Sequence, residues 1–185
     1  MEENSMKKII SLLMVTLVLC GSTFCSLNVK AADVDTNIDT IIVDVSIPSE
    51  DTGKTIDEVL GINIQSRATS MPSSVWDWSN GTYRANFSID YECCYTSYKF
   101  TGYSTLYVDV RASRNIYTPA ADVYKVYVMS GIGQGKIETS VELNTTDTVN
   151  LEISQLDPSK QYAFAIVKAN DTSTLSGTIW VKQQR

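Results

Sequence analysis

The feature that most constrains the fold of this chain is an alternation of apolar and polar side chains through its C-terminal two-thirds. From Tyr83 to Tyr91 every second residue is apolar, and the residues between them are polar or charged. A period of two is typical of β-strands that bury one face against a core. Eight short strands are predicted, at about residues 83–91, 95–101, 106–111, 123–129, 137–143, 149–153, 162–168 and 176–182.

These predicted strands are closely spaced and separated by turn residues, and no segment between them has the period of a helix. This pattern predicts an all-β fold, an antiparallel β-sandwich of about 7–8 strands that occupies residues 72–185. Residues 123–129 are more continuously apolar, as expected of a strand at the centre of a sheet.

A local motif at the start of the seventh predicted strand sharpens the fold prediction. Leu156, Pro158 and Tyr162 stand in the spacing L-x-P-x-x-x-Y. In this motif residues 104–182 resemble fibronectin type III and related immunoglobulin-like sandwiches, in which the motif is a tyrosine corner. The resemblance implies that the Tyr162 hydroxyl bonds back to the backbone of the turn while its ring fills the core.

A wider stretch carries a second resemblance. From Trp76 through residues 95–102 and on to residues 105–110, the chain is similar to small secreted β proteins of Gram-positive bacteria, a group without an assigned activity. This resemblance implies a bacterial, exported protein and implies nothing about its chemistry.

The N-terminus has the parts of a secretory signal. Lys7 and Lys8 form a positive region, residues 9–25 are mainly apolar, and Val29 and Ala31 predict cleavage after Ala31, or one residue later. The apolar run is shorter than the roughly 20 residues that span a bilayer, which favours a signal peptide over residues 1–31 rather than a membrane anchor. The mature protein is therefore expected to be secreted and extracellular, with no membrane contact after cleavage.

The net charge of −6 is unevenly distributed along the chain. Residues 33–66 contain eight acids and one base, Lys54, whereas the acids and bases after residue 66 are equal in number. We interpret residues 32–71 as an acidic linker or propeptide-like segment. Within it, residues 40–47 alternate weakly as a strand, and Thr55 with Glu58 has the spacing of a helix capping box. No cluster of Lys and Arg is present, so neither nucleic acid nor an anionic membrane is an expected partner.

The chain contains no histidine, and this excludes several kinds of enzyme. Triad hydrolases need an imidazole as general base, and many zinc, copper and iron sites need it as a ligand. Carboxylate chemistry would use residues such as Asp77, Asp90, Glu92 and Asp109, and a serine–lysine dyad would use Lys125. These side chains are interpreted as ordinary strand residues. We therefore expect a protein that is not an enzyme and that has no cofactor and no metal.

Two adjacent cysteines, Cys93 and Cys94, remain after the predicted cleavage and form a candidate redox site. In a strand they would point to opposite faces. Three states stay open at this point: two reduced thiols, a strained disulfide between neighbours, or pairing with another chain.

Aromatic residues are concentrated between residues 76 and 107, and the candidate binding residues among them are Trp76, Trp78, Tyr95, Tyr98 and Tyr107. Two interpretations of these residues are open. Exposed flat rings on a sandwich face can stack on sugar rings, and buried rings can serve as core packing. The function expected from the sequence is that of a secreted, non-enzymatic protein that binds a glycan or another extracellular protein. The alternatives are a carbohydrate-binding module and a bacteriocin or toxin-like secreted effector.

Overall fold

The computed structural model describes residues 40–61, 70–115, 123–145, 148–169 and 171–185. The predicted signal peptide and the first part of the acidic segment, up to residue 39, lie outside the described residues. The described residues form nine strands, one short helix and one 3-10 turn: β1 (Thr40–Asp44), α1 (Ile56–Leu60), the 3-10 turn (Trp78–Asn80), β2 (Tyr83–Ile89), β3 (Cys93–Tyr95), β4 (Leu106–Arg114), β5 (Val123–Ser130), β6 (Lys136–Asn144), β7 (Thr148–Ser154), β8 (Tyr162–Lys168) and β9 (Leu175–Lys182).

The strands form two sheets, so the all-β prediction is confirmed. The five-stranded sheet has the order β1-β7-β4-β9-β2, in which β1 runs parallel to β7 and the other neighbours are antiparallel. The four-stranded sheet has the order β3-β8-β5-β6 and is antiparallel throughout. Within the described part of the chain, no helix is long and apolar enough to cross a membrane.

Both sheets contribute to one apolar core. Val108 and Val110 of β4 belong to the same buried cluster as Val126 of β5 and Phe164 of β8. These residues occupy the apolar positions of the sequence alternation, so the period-two pattern correctly identifies the inner faces of both sheets.

The outer face of the four-stranded sheet is also buried. Ile56 of α1 and Met71 cover a second apolar cluster on this face, and Ile56 is only 1% exposed. Backbone hydrogen bonds also attach this region to β6: Gly53 N donates to Ile137 O at 2.8 Å, and Ile137 N donates to Lys54 O at 2.9 Å. We call residues 45–61 the covering segment. Together with Met71, it covers the outward residues Ala163, Ala165 and Val167 of β8, whose remaining residues face the core or, for Lys168, the Asp171 carboxylate.

Two acidic side chains of the covering segment are themselves buried. Asp51 accepts hydrogen bonds from the Tyr127 hydroxyl at 3.1 Å and from Lys54 Nζ at 3.0 Å. Asp57 accepts one from Gln134 Nε2 at 2.6 Å. Burial raises the pKa of the Asp51 carboxyl. Its hydrogen bonds with Lys54 and Tyr127 and the charges of Lys54 and Lys125 outweigh burial and leave the pKa below its usual value.

Local predictions within the acidic segment are confirmed, and one predicted strand, at residues 95–101, is wrong. β1 forms at residues 40–44, and Thr55 and Glu58 make the reciprocal bonds of a capping box at the start of α1. The addition of β1 makes nine described strands rather than 7–8. The strand predicted at residues 95–101 is wrong, because regular pairing ends at Tyr95 and only isolated bridges follow. Thr96 Oγ1 turns the backbone there by donating to Tyr98 O at 3.0 Å.

One glycine is required for the contact between three strands. Gly177 of β9 lies between β4 and β2, and a β-carbon there would be 2.1 Å from Arg111 O and 2.6 Å from Phe87 Cζ. The five-stranded sheet therefore tolerates no side chain at this position without moving its backbone.

Candidate functional site

The outer face of the five-stranded sheet differs from that of its partner, because no described residue covers it as the covering segment covers the other. We call it the polar face. Its side chains are the outward positions of five strands: Thr40, Ile42, Asp44, Arg84, Asn86, Ser88, Tyr107, Asp109, Arg111, Ser113, Thr148, Asn150, Glu152, Ser154, Ser176, Thr178, Trp180 and Lys182.

Strand register places five of these side chains in one row across the sheet. Arg84 pairs with Trp180, Trp180 with Asp109, Asp109 with Asn150, and Asn150 with Thr40. The row contains its own contacts: the Arg84 guanidinium lies 5.4 Å from the centre of the Trp180 ring, and Asn150 Nδ2 donates to Asp109 Oδ1 at 2.5 Å. Lys182, in the next row, forms an ion pair with Asp109. The charged groups of the row are thereby held in position.

Two aromatic residues of the polar face have unused hydrogen-bonding groups. Trp180 is half-buried, and its indole N–H has no acceptor among the described residues. Tyr107 is also half-buried, and within the described ranges its hydroxyl has no partner. Tyr107 pairs with Lys182 and Trp180 pairs with Asp109, so the two rings are diagonal neighbours on adjacent strands, at the distance where such side chains still contact one ligand.

Trp76 and Trp78, in contrast, have both their indole N–H groups and their rings engaged within the protein. Their indole N–H groups donate to backbone carbonyls, Trp76 to Gly81 O at 3.0 Å and Trp78 to Thr101 O at 3.1 Å. Trp76 packs edge-on against Tyr83 and Tyr98, with ring centres 5.2 Å apart in both cases. The two Trp residues and Tyr98 thus form a packed aromatic cluster at the border of the core rather than a row of parallel rings.

Tyr95 lies on the other side of the molecule, against the covered cluster of the four-stranded sheet. Its hydroxyl is buried and makes no hydrogen bond to any described residue. Burial raises the pKa of this hydroxyl, and the nearby Cys93 and Asp57 raise it further. Of the five candidate aromatic residues, only Tyr107 lies on the polar face.

The adjacent cysteines point to opposite faces of β3. Cys93 packs with the covered outer cluster and Cys94 packs with the core between the sheets, and no described disulfide joins them. Cys94 lines a cleft of about 230 Å³ between β2 and β3. Burial raises the pKa of the Cys94 thiol to about 12, with a further contribution from Cys93, so Cys94 is protonated at neutral pH.

At the predicted tyrosine corner, the Tyr162 hydroxyl accepts a hydrogen bond from Asp157 N at 3.0 Å, and its ring is 2% exposed. Leu156 is buried, while Pro158 is exposed and its carbonyl accepts from Thr101 Oγ1 at 3.1 Å. These contacts fasten the turn before β8.

The carboxylates considered for catalysis have separate structural roles. Asp77 accepts from Ser79 N at the 3-10 turn, a backbone hydrogen bond that lowers its pKa. Asp90 accepts from Thr174 Oγ1 at 2.8 Å, and Glu92 supplies its backbone carbonyl to Lys168 N. Lys125 faces the covering segment, where it pairs with Glu50 at 3.3 Å. Among the described ranges, no three Cys, Asp or Glu side chains are grouped to hold a metal ion.

A buried ionic network closes the end of the molecule near the β8–β9 turn. Arg114 and Lys168 both contact the Asp171 carboxylate, at 2.7 Å and 3.1 Å, and their side chains are 2% and 1% exposed. Burial raises the pKa of Asp171, but the hydrogen bonds from Ser173 and Lys168, with the charge of Arg114, hold it far below its usual range. The network orders the β8–β9 turn, and the charges of Arg114, Lys168 and Asp171 are engaged with one another.

Sequence reasoning did not select Trp180, Arg84 and Asn150, although the signal is present. Ile179 and Val181 are buried positions of β9, and Trp180 lies between them on the polar side of the alternation. A large aromatic ring at a polar position is the pattern that identifies it. Asn150 and Arg84 could not be associated with Trp180 without strand order.

Comparison with protein-family models, curated proteins and solved structures finds no match to this chain.

Proposed function

We propose that this chain is a secreted, non-enzymatic β-sandwich protein that binds an extracellular partner through its polar face. One observation carries the proposal: Trp180 and Tyr107 present unused hydrogen-bond donors on a sheet face that no described residue covers. Neither donor is among the buried side-chain atoms that lack a partner, so both are open to solvent and a bound ligand can reach them.

The proposed sandwich is of the immunoglobulin or fibronectin III type. The pairing of β4 with β7 and of β5 with β8 corresponds to the B–E and C–F pairs of such domains, and Tyr162 stands at the position of their tyrosine corner. β9 departs from that pattern, because it pairs with β4 while β3 occupies the place beside β8. In this proposal the final strand has changed sheets.

Export is tested by the mature N-terminus. Mass spectrometry of protein from the culture medium is expected to find Ala32 as the first residue, because the residues before it fit signal peptidase. Intact chain retained in the cytosol would contradict export.

Binding is tested by sedimentation of the secreted protein with Gram-positive cells and with isolated cell walls. Thr178→Arg places a long charged side chain on the polar face beside Trp180, and it is expected to abolish sedimentation. Thr172→Arg is the matched control, since it adds the same side chain at an exposed position outside the polar face. Equal binding by both variants would show that the polar face is not the binding surface.

A further inference from the structure

We infer that the polar face is a binding site for an uncharged polysaccharide, an inference that rests on the binding function proposed above. The row Arg84–Trp180–Asp109–Asn150–Thr40 crosses five strands, and four strand spacings amount to roughly 19 Å. A site of this length accommodates several linked sugar units, whereas a single small molecule would contact only part of it.

The aromatic residues of the site suit a sugar ring. A pyranose has an apolar C–H face and a polar rim, so it packs on an aromatic ring while its hydroxyls remain available for hydrogen bonds. Arg84 lies over the Trp180 ring at 5.4 Å, so a sugar would pack on the part of the indole that the guanidinium leaves open and on the guanidinium itself. Tyr107 offers a second ring, and Trp180 and Tyr107 each offer an unused donor to the same ligand.

The polar residues around the rings match the donors and acceptors of hydroxyl groups. Asp109 is an acceptor, and it is positioned by Asn150 and Lys182. Thr178 and Asn86 bond to each other at 2.9 Å beside the row. Both Asp109 oxygens and the Asn86 oxygen already accept these bonds, and their remaining lone pairs are available to ligand hydroxyls, which both donate and accept.

The charges of the polar face favour an uncharged ligand. The five strands of the face carry three bases and three acids, namely Arg84, Arg111, Lys182, Asp44, Asp109 and Glu152. Arg185 adds a guanidinium at one edge of the face, where it donates to Thr40 Oγ1 at 2.6 Å. Lys182 and Asp109 are already paired with each other. Charges of both signs are interspersed, so a polyanion or a polycation would meet like charges as well as opposite ones. A neutral chain avoids both conflicts.

The inference is tested by affinity electrophoresis in native gels that contain soluble hydroxyethylcellulose, xyloglucan, galactomannan, glucomannan or starch, with polygalacturonate and heparin as charged comparisons. Retardation by at least one uncharged polysaccharide is expected. Trp180→Ala is expected to weaken it about tenfold or more, as loss of a central aromatic contact does. Tyr107→Phe, which removes only the hydroxyl, is expected to weaken it less. Tyr91→Ala is the matched control, because Tyr91 is a 67% exposed ring outside the polar face, and it is expected to bind as the unchanged protein does.

The outcomes separate this inference from the proposed function. Cell-wall binding that Thr178→Arg abolishes, without retardation by any uncharged polysaccharide, overturns the inference and leaves the proposed function standing. Retardation by charged polymers alone also overturns it. Retardation that Trp180→Ala and Asp109→Asn leave unchanged places the sugar elsewhere and overturns the assigned site. Circular dichroism confirms that each variant is folded, and Tyr107→Phe remains as a test if Trp180→Ala does not fold.

Discussion

The covering segment is expected to contribute several kcal/mol to stability through one side chain. Ile56→Ala removes three carbons from a residue that is 1% exposed. At about 0.8 kcal/mol for each buried carbon the transfer cost is about 2.4 kcal/mol, and the cavity left between α1 and the sheet raises the expected loss to about 3–4 kcal/mol. The free energy of unfolding, measured by reversible urea denaturation, tests this value.

Ile47→Ala is the matched control for this prediction. It makes the same substitution in the same segment, but Ile47 is 66% exposed, so its expected effect is within about 0.5 kcal/mol. If Ile56→Ala lowers the free energy of unfolding no more than Ile47→Ala does, α1 of the covering segment is not packed on the four-stranded sheet in solution. The comparison requires that the slope of the free energy of unfolding against urea concentration be the same in both variants.

Three further predictions concern other parts of the molecule. Gly177→Ala is expected to lower the free energy of unfolding by about 1–3 kcal/mol, because its β-carbon meets Arg111 O, whereas Ser176→Ala next to it stays within about 0.5 kcal/mol. Asp171→Asn is expected to cost about 3 kcal/mol, because the buried charges of Arg114 and Lys168 lose their counter-charge. The pKa of Asp171 is lowered in the folded protein, so its contribution to stability is present above the unfolded value near 3.8 and is lost as pH falls below that value. The free energy of unfolding of Asp171→Asn should therefore fall less steeply with acidification than that of the unchanged protein, and parallel curves would contradict this. Cys94 is expected to resist iodoacetamide near neutral pH until the protein is denatured, and rapid labelling detected by mass spectrometry would refute its burial.

The strands could be predicted from sequence because their signal is local. In β4 and β9, apolar residues such as Val108 and Val181 alternate with polar ones, and both strands form where the alternation is found. The second predicted strand failed because the Thr96 side chain takes the place of a backbone carbonyl: its Oγ1 accepts from Phe164 N at 3.2 Å and donates to Tyr98 O at 3.0 Å. No period in the sequence reports such a bond.

The packing of residues 45–61 could not be predicted because its partners are distant in sequence. A high density of acids is typical of a solvated segment, yet Asp51 and Asp57 are buried against Tyr127 and Gln134. The compensating groups lie 76 and 77 residues away along the chain. The polar face could not be predicted for the same reason, since only the order of the strands brings Trp180 and Asn150 into one row.

The burial of β8 on both faces has a consequence for the time course of folding. The outer face of this strand is covered only when α1, which lies far earlier in the chain, has docked on the four-stranded sheet. The hydrogen bond from Tyr127 to Asp51, which joins β5 of the same sheet to the covering segment, spans 76 residues. Contacts of such separation form slowly, because a long loop must be closed before they are gained. Until α1 docks, an apolar sheet surface stays open to other molecules, so the early folding phase is the period of greatest aggregation risk.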